Sequence, residues 1–282
     1  MKTRRCTTTG FPWRIVFGAI VLVAFWTTFV HLIGWRAELA ESNLQANLIR
    51  ITRYLREPSP DIVLVGSSVG GRLLPSYFEE NGVRVLNLGL DGSCPMFAFE
   101  VIRIRAERPR LILLDTSTLF SKLGVNDAVL RDAMESLTTK LGPAIPFFRP
   151  EMRPLTIVYN KLKSWKESAT LGQKCAPVIE SPAQSASEEI ETYADVKEAL
   201  QKFKAEGVEI IFLDIPHGAG WAMPARGPAR QLAEELGCVF LQPGLSFALE
   251  GDSTMRFTDG IHLDAPSAMK LSEWISARLH VL

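Results

Sequence analysis

Excess charge of either sign is the first thing this chain lacks. Its 31 basic residues are matched by 31 acidic ones, so no basic field marks a nucleic-acid surface. Cysteine is scarce as well. The four cysteines form no C-x-x-C pair, which argues against a structural zinc site. Cys6 precedes a long apolar run and Cys94, Cys175 and Cys238 follow it, enough for one disulfide whose pairing the spacing leaves open. The G-x-G-x-x-G fingerprint and the Walker lysine are both missing, which removes two familiar phosphate loops. No internal repeat is present, and no motif calls for a metal or a cofactor. Histidine is limited to four positions, 31, 217, 262 and 280.

What the chain has in plenty is apolar sequence near its start. From Ile15 to Trp35 the only ionisable side chain is His31, read as an interfacial residue. At 1.5 Å per residue the run spans roughly 30 Å, the thickness of a hydrocarbon core. Lys2, Arg4, Arg5 and Arg14 precede it, while Glu38 and Glu41 follow. Positive charge stays cytoplasmic, so residues 1–14 are expected inside, 15–35 in the membrane and the bulk of the chain exported. Ala40-Glu41-Ser42 has the small-x-small form of a signal-peptidase site. Arg36 and Glu38 separate it from the apolar run, however, and the run is longer than a usual h-region. The reading is a retained signal anchor in a single-pass inner-membrane protein, with its domain on the periplasmic side.

Residues 36–59 carry Leu44, Leu48, Ile51 and Leu55 at helical spacing and read as a stalk helix, or one packed on the domain, closed by Pro58-Ser59-Pro60. Beyond it, strand and helix alternate. Short continuous apolar runs at Ile62–Val65, Val83–Leu90, Leu111–Leu114 and Val208–Ile215, with a weaker one at Cys238–Leu241, read as strands buried on both faces. Helices are expected over Pro95–Ala106, Val196–Ala205 and Ala265–Leu279. This rhythm predicts an α/β domain over 60–282 with a parallel sheet, helices on both faces and ligands beyond the strands' carboxyl ends. Residues 117–187 interrupt it with a helix over Asp127–Lys140, the stretch PAIPFFRPEMRP and a small polar run at Ser181–Ser187. The interruption reads as an insertion that shapes or covers a substrate site, or as an irregular structural excursion.

The first strand runs into Gly66-Ser67-Ser68-Val69-Gly70-Gly71. Its glycines permit the sharp turn that an exposed nucleophile needs, and a following helix would bring N-terminal amides to Ser68. An ordinary turn or a phosphate cradle is the alternative. The match to the G-x-S-x-G elbow is discounted, because that elbow follows several strands in its own fold. Ser67 competes with Ser68 as nucleophile, and Ser68 is preferred. Near the other end, Asp259 and His262 stand three residues apart in Phe-Thr-Asp-Gly-Ile-His-Leu. An acid and an imidazole at that spacing share one short loop, where the carboxylate fixes the tautomer and the free ring nitrogen takes a serine proton. His217, just past the fourth strand, is a candidate substrate contact or a structural cap. Trp221, Met223, Phe147 and Phe148 are candidate pocket linings.

These blocks resemble the SGNH hydrolase superfamily, the GDSL-type esterases and lipases, in its membrane-anchored branch. Gly66-Ser67-Ser68 is similar to the family's first block, and Asp259 with His262 before the last helix to its final one. Asn87-Leu-Gly89-Leu-Asp-Gly92 resembles the second block, with Gly92 as the oxyanion glycine. The third block departs: Leu114-Asp115-Thr116-Ser117-Thr118 has no asparagine, and Ser117 or Thr118 is left as its replacement. The resemblance implies a single three-layer, flavodoxin-like α/β domain behind one transmembrane helix. It also implies catalysis by Ser68, His262 and Asp259 and an oxyanion hole from the amides of Ser68 and Gly92. Beside these, His217, Ser67 and Ser117 are expected as substrate contacts from their places at the strand ends. Three functions follow as expectations. The first is a membrane-anchored esterase for ester-linked acyl groups. The second is an O-acyltransferase that passes the acyl group to a hydroxyl of a cell-envelope polysaccharide beside other envelope acylation proteins; an ester or acylated glycan is the expected substrate, and nucleic acid is not expected as a partner. The third is a non-catalytic module that binds polysaccharide or scaffolds.

Overall fold

A strand with no polar side chain can only sit where neither face meets water. Strand β1 (Ile62–Gly66) is buried at every position, as are β2 (Val85–Gly89) and β3 (Leu111–Asp115). The computed structural model describes residues 13–34, 37–38, 40–78, 84–120, 126–142, 144–169, 173–175, 189–218, 226–244, 246 and 255–279. The expected positions Cys6, Ser181–Ser187, Trp221, Met223 and His280 lie outside them.

Five strands form one sheet in the order β2-β1-β3-β5-β6, completed by β5 (Glu209–Leu213) and β6 (Val239–Leu241). Every neighbouring pair is parallel, with Val63 opposite Leu86 on one side and Ile112 on the other. Counted within the sheet alone the order is 2-1-3-4-5, a doubly wound plan whose direction of winding switches beside β1. Alternate side chains feed two cores, as a pleated strand requires. Val63, Val65, Ile112, Leu114 and Phe212 pack under the helices of one face. Ile62, Leu64, Leu113 and Leu213 pack with Leu271, Trp274 and Ile275 of the last helix on the other.

The first face is covered by α2 (Asn43–Arg56), α3 (Pro95–Ile104), α7 (Glu189–Ala205) and α8 (Arg226–Leu236). Over Asn43–Arg56 the stalk reading gives way to its alternative, a helix packed on the domain: this helix is one of the domain's layers. Its Leu48, Ile51 and Tyr54 are buried in the core because their helical spacing makes one apolar face. Ser42 caps it, accepting the Gln45 amide at 3.3 Å.

Upstream, α1 (Trp13–Ile33) has a mean hydropathy of 2.2 and is long and apolar enough to cross a membrane. The helix expected over Asp127–Lys140 is two, α4 (Asp127–Glu135) and α5 (Leu137–Leu141). Ser136 breaks it with extended backbone (ψ 151°), and its hydroxyl donates to the Ala133 carbonyl at 2.7 Å. Then follow the 3-10 turns Pro146–Phe148 and Pro150–Met152, helix α6 (Pro154–Ala169) and strand β4 (Gln173–Cys175). Strand β4 pairs antiparallel with β7 (Met255–Phe257), just ahead of the last helix, α9 (Ala265–Leu279). Asp264 caps α9, accepting the Ser267 amide at 3.0 Å.

Candidate active site

The chain leaves β1 through Gly66 and turns at once. A Cβ on Gly66 would fall 2.3 Å from the Asp115 Cβ at the end of β3, so only glycine lets the two strand ends approach. Ser67 points inward and is 3% exposed, whereas Ser68 points outward and is partly exposed. The expected helix after Ser68 is only a 3-10 turn, Gly70–Arg72, with the Gly71 amide donating to the Ser67 carbonyl at 2.9 Å. Two successive glycines followed within four residues by Pro75 give too little helix propensity to propagate further.

Asp115 holds this turn from beneath. It is fully buried, and its Oδ2 accepts the Ser67 amide at 3.2 Å, the Ser67 hydroxyl at 3.1 Å and the Ser117 hydroxyl at 2.8 Å. Its Oδ1 accepts the Ser117 amide at 2.9 Å, and the two hydroxyls lie 2.7 Å apart. Burial pushes the Asp115 carboxyl above the usual range, opposed by the hydrogen bonds from Ser117 and Ser67. The sequence showed an acid at the end of an apolar strand, the one signal that could have marked it.

The opposite wall is the loop after β7. Gly260 has φ +80°, a left-handed conformation that reverses the chain between Asp259 and His262. Asp259 Oδ1 accepts the amides of Ile261 and His262 at 3.1 and 2.8 Å, and Oδ2 lies 2.6 Å from His262 Nδ1. Partial burial would raise the Asp259 carboxyl, but the His262 backbone and side-chain hydrogen bonds and the imidazole's charge outweigh it, leaving a pKa of about 2. On the other side of the ring, His262 Nε2 lies 2.9 Å from the Ser68 Oγ. With a carboxylate on Nδ1, the proton sits there and Nε2 is the acceptor for the serine hydroxyl.

The loop after β2 forms the third wall. Gly92 has φ +68°, and Asn126 lies directly over it: any Cβ on Gly92 would come within 2.6 Å of the Asn126 Nδ2. That amide also donates to the Asp91 carbonyl at 3.4 Å. Two side chains of α2 clamp the same loop. Asn47 donates to the Asp91 carbonyl at 2.9 Å and accepts the Asp91 amide at 2.8 Å. The Arg50 guanidinium donates to the Gly89 carbonyl, to Asp91 Oδ1 at 2.8 Å and to the Gly71 carbonyl at 3.2 Å, bridging the second-strand loop and the serine turn.

The sequence-predicted residues thus divide. Ser68, His262 and Asp259 form one hydrogen-bonded chain. Ser67, Ser117 and His217, expected to touch substrate, are instead 3%, 4% and 0% exposed. The two hydroxyls are consumed by Asp115 and each other. His217 is interior because its loop runs under the Asp259–His262 turn: the Gly218 amide donates to the Ile261 carbonyl at 3.3 Å, and His217 Nδ1 faces the Gly218 carbonyl at 3.0 Å. Asn126 and Asp115 were missed, the first because it lies inside the insertion. That insertion also reaches the site through β4, paired with the strand that leads into Asp259. Among the described residues no group of three or more His, Cys, Asp and Glu is arranged to hold a metal. In comparisons with known proteins, no family model matches the chain and no curated protein matches it in sequence.

Proposed function

We propose that this chain is a membrane-anchored serine esterase of the SGNH type, with Ser68 as nucleophile, His262 as general base and Asp259 as its orienting carboxylate. The single observation that carries the reading is the continuous path from Asp259 Oδ2 through both imidazole nitrogens to the Ser68 hydroxyl, at 2.6 and 2.9 Å. Those are hydrogen-bond distances suited to proton transfer.

In the reaction, His262 Nε2 takes the Ser68 proton as Oγ bonds to the ester carbonyl carbon. The tetrahedral oxyanion collapses, the carbon–oxygen bond of the alcohol breaks, and the imidazolium returns its proton to that alcohol. Water, deprotonated by the same nitrogen, then releases the acid and restores Ser68. Asp259 stays ionised throughout and steadies the imidazolium. The amides of Ser68 and Gly92 are the backbone donors for the oxyanion. Asn126, over Gly92, supplies the side-chain amide that the third strand lacks. A serine nucleophile with such donors needs no metal or cofactor.

The SGNH assignment is supported by the sheet order, by a serine after the first strand, a glycine loop after the second and an acid–imidazole pair before the last helix. The localisation we infer is the inner membrane, with the domain on the periplasmic side. The apolar helix α1 just ahead of the domain favours a substrate held in the cell envelope. It also favours a second reading, in which the acyl-serine passes to a glycan hydroxyl instead of water.

The test is turnover by the full-length chain in detergent. It should hydrolyse a p-nitrophenyl acyl ester, and Ser68→Ala should abolish this. Release of free acid from an acylated envelope polysaccharide supports hydrolysis, and acyl movement onto an added glycan supports transfer. A Ser68→Ala variant that fully complements a deletion strain would support the non-catalytic reading.

A further inference from the structure

We propose that residues 144–165, inside the insertion, form a second membrane-contacting element that seats the domain against the lipid leaflet at the C-terminal end of α1. This rests on α1 spanning a bilayer, as the proposed function requires.

The observations begin with what the segment touches. Ala144, Ile145 and Pro146 share a cleft with Ala19, Val23 and Thr27 of α1. At 1.5 Å rise per residue, those α1 positions lie roughly 10–20 Å back from Ile33, within the hydrocarbon if the helix spans it. Farther along, Trp26 Nε1 donates to the Met152 carbonyl at 2.8 Å, and Val30 packs with Met152 and Ile157. The contact is therefore with the middle and outer half of the span. A water-facing connector has no reason to lie there.

The segment is chemically fit for that depth. Hydrocarbon offers no partner for a bare backbone donor. Here Ile145, Phe148, Arg149 and Met152 donate to carbonyls within the segment or at Leu141 at 2.9–3.0 Å, and Pro146, Pro150 and Pro154 have no N–H to satisfy. The ionic groups of its first part, residues 144–153, turn back toward protein. Arg149 Nε donates to the Gly142 carbonyl at 2.8 Å, Arg153 reaches Gln45 of α2 at 2.9 Å, and Glu151 is buried.

Helix α6 continues with an apolar stripe turned outward. Leu155, Val158, Leu162 and Trp165 are 66%, 54%, 60% and 75% exposed, and their spacing puts them on one face. Its other face carries Ile157, packed toward α1. Such a stripe is unusual on a water-bathed surface. A tryptophan with Lys161 and Lys163 beside the stripe is the residue set of an interfacial helix, whose apolar face sinks ~5–10 Å into the headgroup boundary beside anionic lipid. The stripe and the buried face share one short helix continuous with the α1 contact, so a bilayer touching α1 there also meets α6. The occupant is lipid, and the site of Ser68 is thereby held at a fixed height over the membrane.

The test places p-benzoylphenylalanine at Leu162, Trp165, Phe25 and Ile104 of the full-length chain in nanodiscs of phosphatidylethanolamine and phosphatidylglycerol. After illumination, the expected result is phospholipid adducts at positions 162, 165 and 25 and none at 104, an exposed apolar position of α3. Adducts at 25 with none at 162 and 165 overturn the proposal while leaving the span intact. No lipid adduct at 25 overturns the span and the proposal together. Protein–protein adducts at 162 mean that a second copy covers the stripe, and also overturn it. As a second check, Leu162→Glu should reduce the lipid adduct at position 165 while leaving the adduct at 25 and turnover of a soluble ester unchanged; an undiminished adduct at 165 would count against the stripe.

Discussion

The Cβ and carboxylate of Asp115 occupy the space that a side chain at Gly66 would need: a Cβ there would lie 2.3 Å from the Asp115 Cβ and 2.6 Å from its Oδ2. Across that contact the end of β3 sets the direction in which the chain leaves β1, and so where Ser68 stands. Gly66→Ala must push the two strand ends apart. Overpacking of this kind costs roughly 1–3 kcal/mol. The expected outcome is a folded but less stable variant, seen as a lowered denaturation midpoint, whose kcat falls at least tenfold because Ser68 moves relative to His262.

Asp115→Asn replaces an acceptor of four hydrogen bonds by a group with two donors of its own. At least one buried N–H or O–H of Ser67 or Ser117 loses its acceptor, at a cost of about 1–3 kcal/mol. The pH dependence has a definite sign. A carboxyl raised by burial binds its proton more tightly folded than unfolded, so it costs stability as pH climbs above the ordinary aspartate value of about 3.9. Denaturation midpoints should therefore show the wild type losing ground to Asp115→Asn as pH rises from that value. A constant difference across pH would contradict this account of Asp115.

Asp259 has the opposite sign. Its carboxyl titrates at about 2, below the unfolded value, so its stabilising hydrogen bonds are fully present above about pH 4 and are lost as pH falls through about 2. Asp259→Asn should remove that acid-range dependence. At neutral pH it should leave the fold intact and lower kcat by ~10²-fold or more, because an amide no longer fixes the Nδ1–H tautomer of His262. Thermal unfolding from acid to neutral pH, run beside ester turnover, checks both halves.

Asn126→Ala separates the insertion's part in chemistry from its part in packing. Loss of one oxyanion donor lowers kcat by about 10²–10³-fold with KM nearly unchanged. An unchanged kcat would remove Asn126 from the site.

Much of the fold was legible because its signals are local. An unbroken apolar run such as Ile62–Val65 has nowhere to go but the middle of a sheet, and Ala265–Leu279 has its cap, Asp264, written beside it. The Ser68 and Asp259–His262 blocks were legible for a similar reason: each carries its turn glycine within two residues. What stayed hidden depends on contacts distant in sequence. The hydroxyls of Ser67 and Ser117 look available until Asp115 is folded between them. His217 stands at a strand end yet is roofed by the Gly218–Ile261 hydrogen bond. Residues 43–56 read equally as a stalk or a packed helix because nothing local says that Asn47 and Arg50 must hold the Gly89–Asp91 loop.

The most direct measurement is the site of covalent modification by a fluorophosphonate on the full-length chain, mapped by peptide mass spectrometry. The account predicts one phosphonylated serine, Ser68, formed slowly or not at all in His262→Ala and absent in Ser68→Ala. Modification of Ser67 instead, or an unmodified Ser68 in protein whose thermal unfolding shows it to be intact, would contradict it.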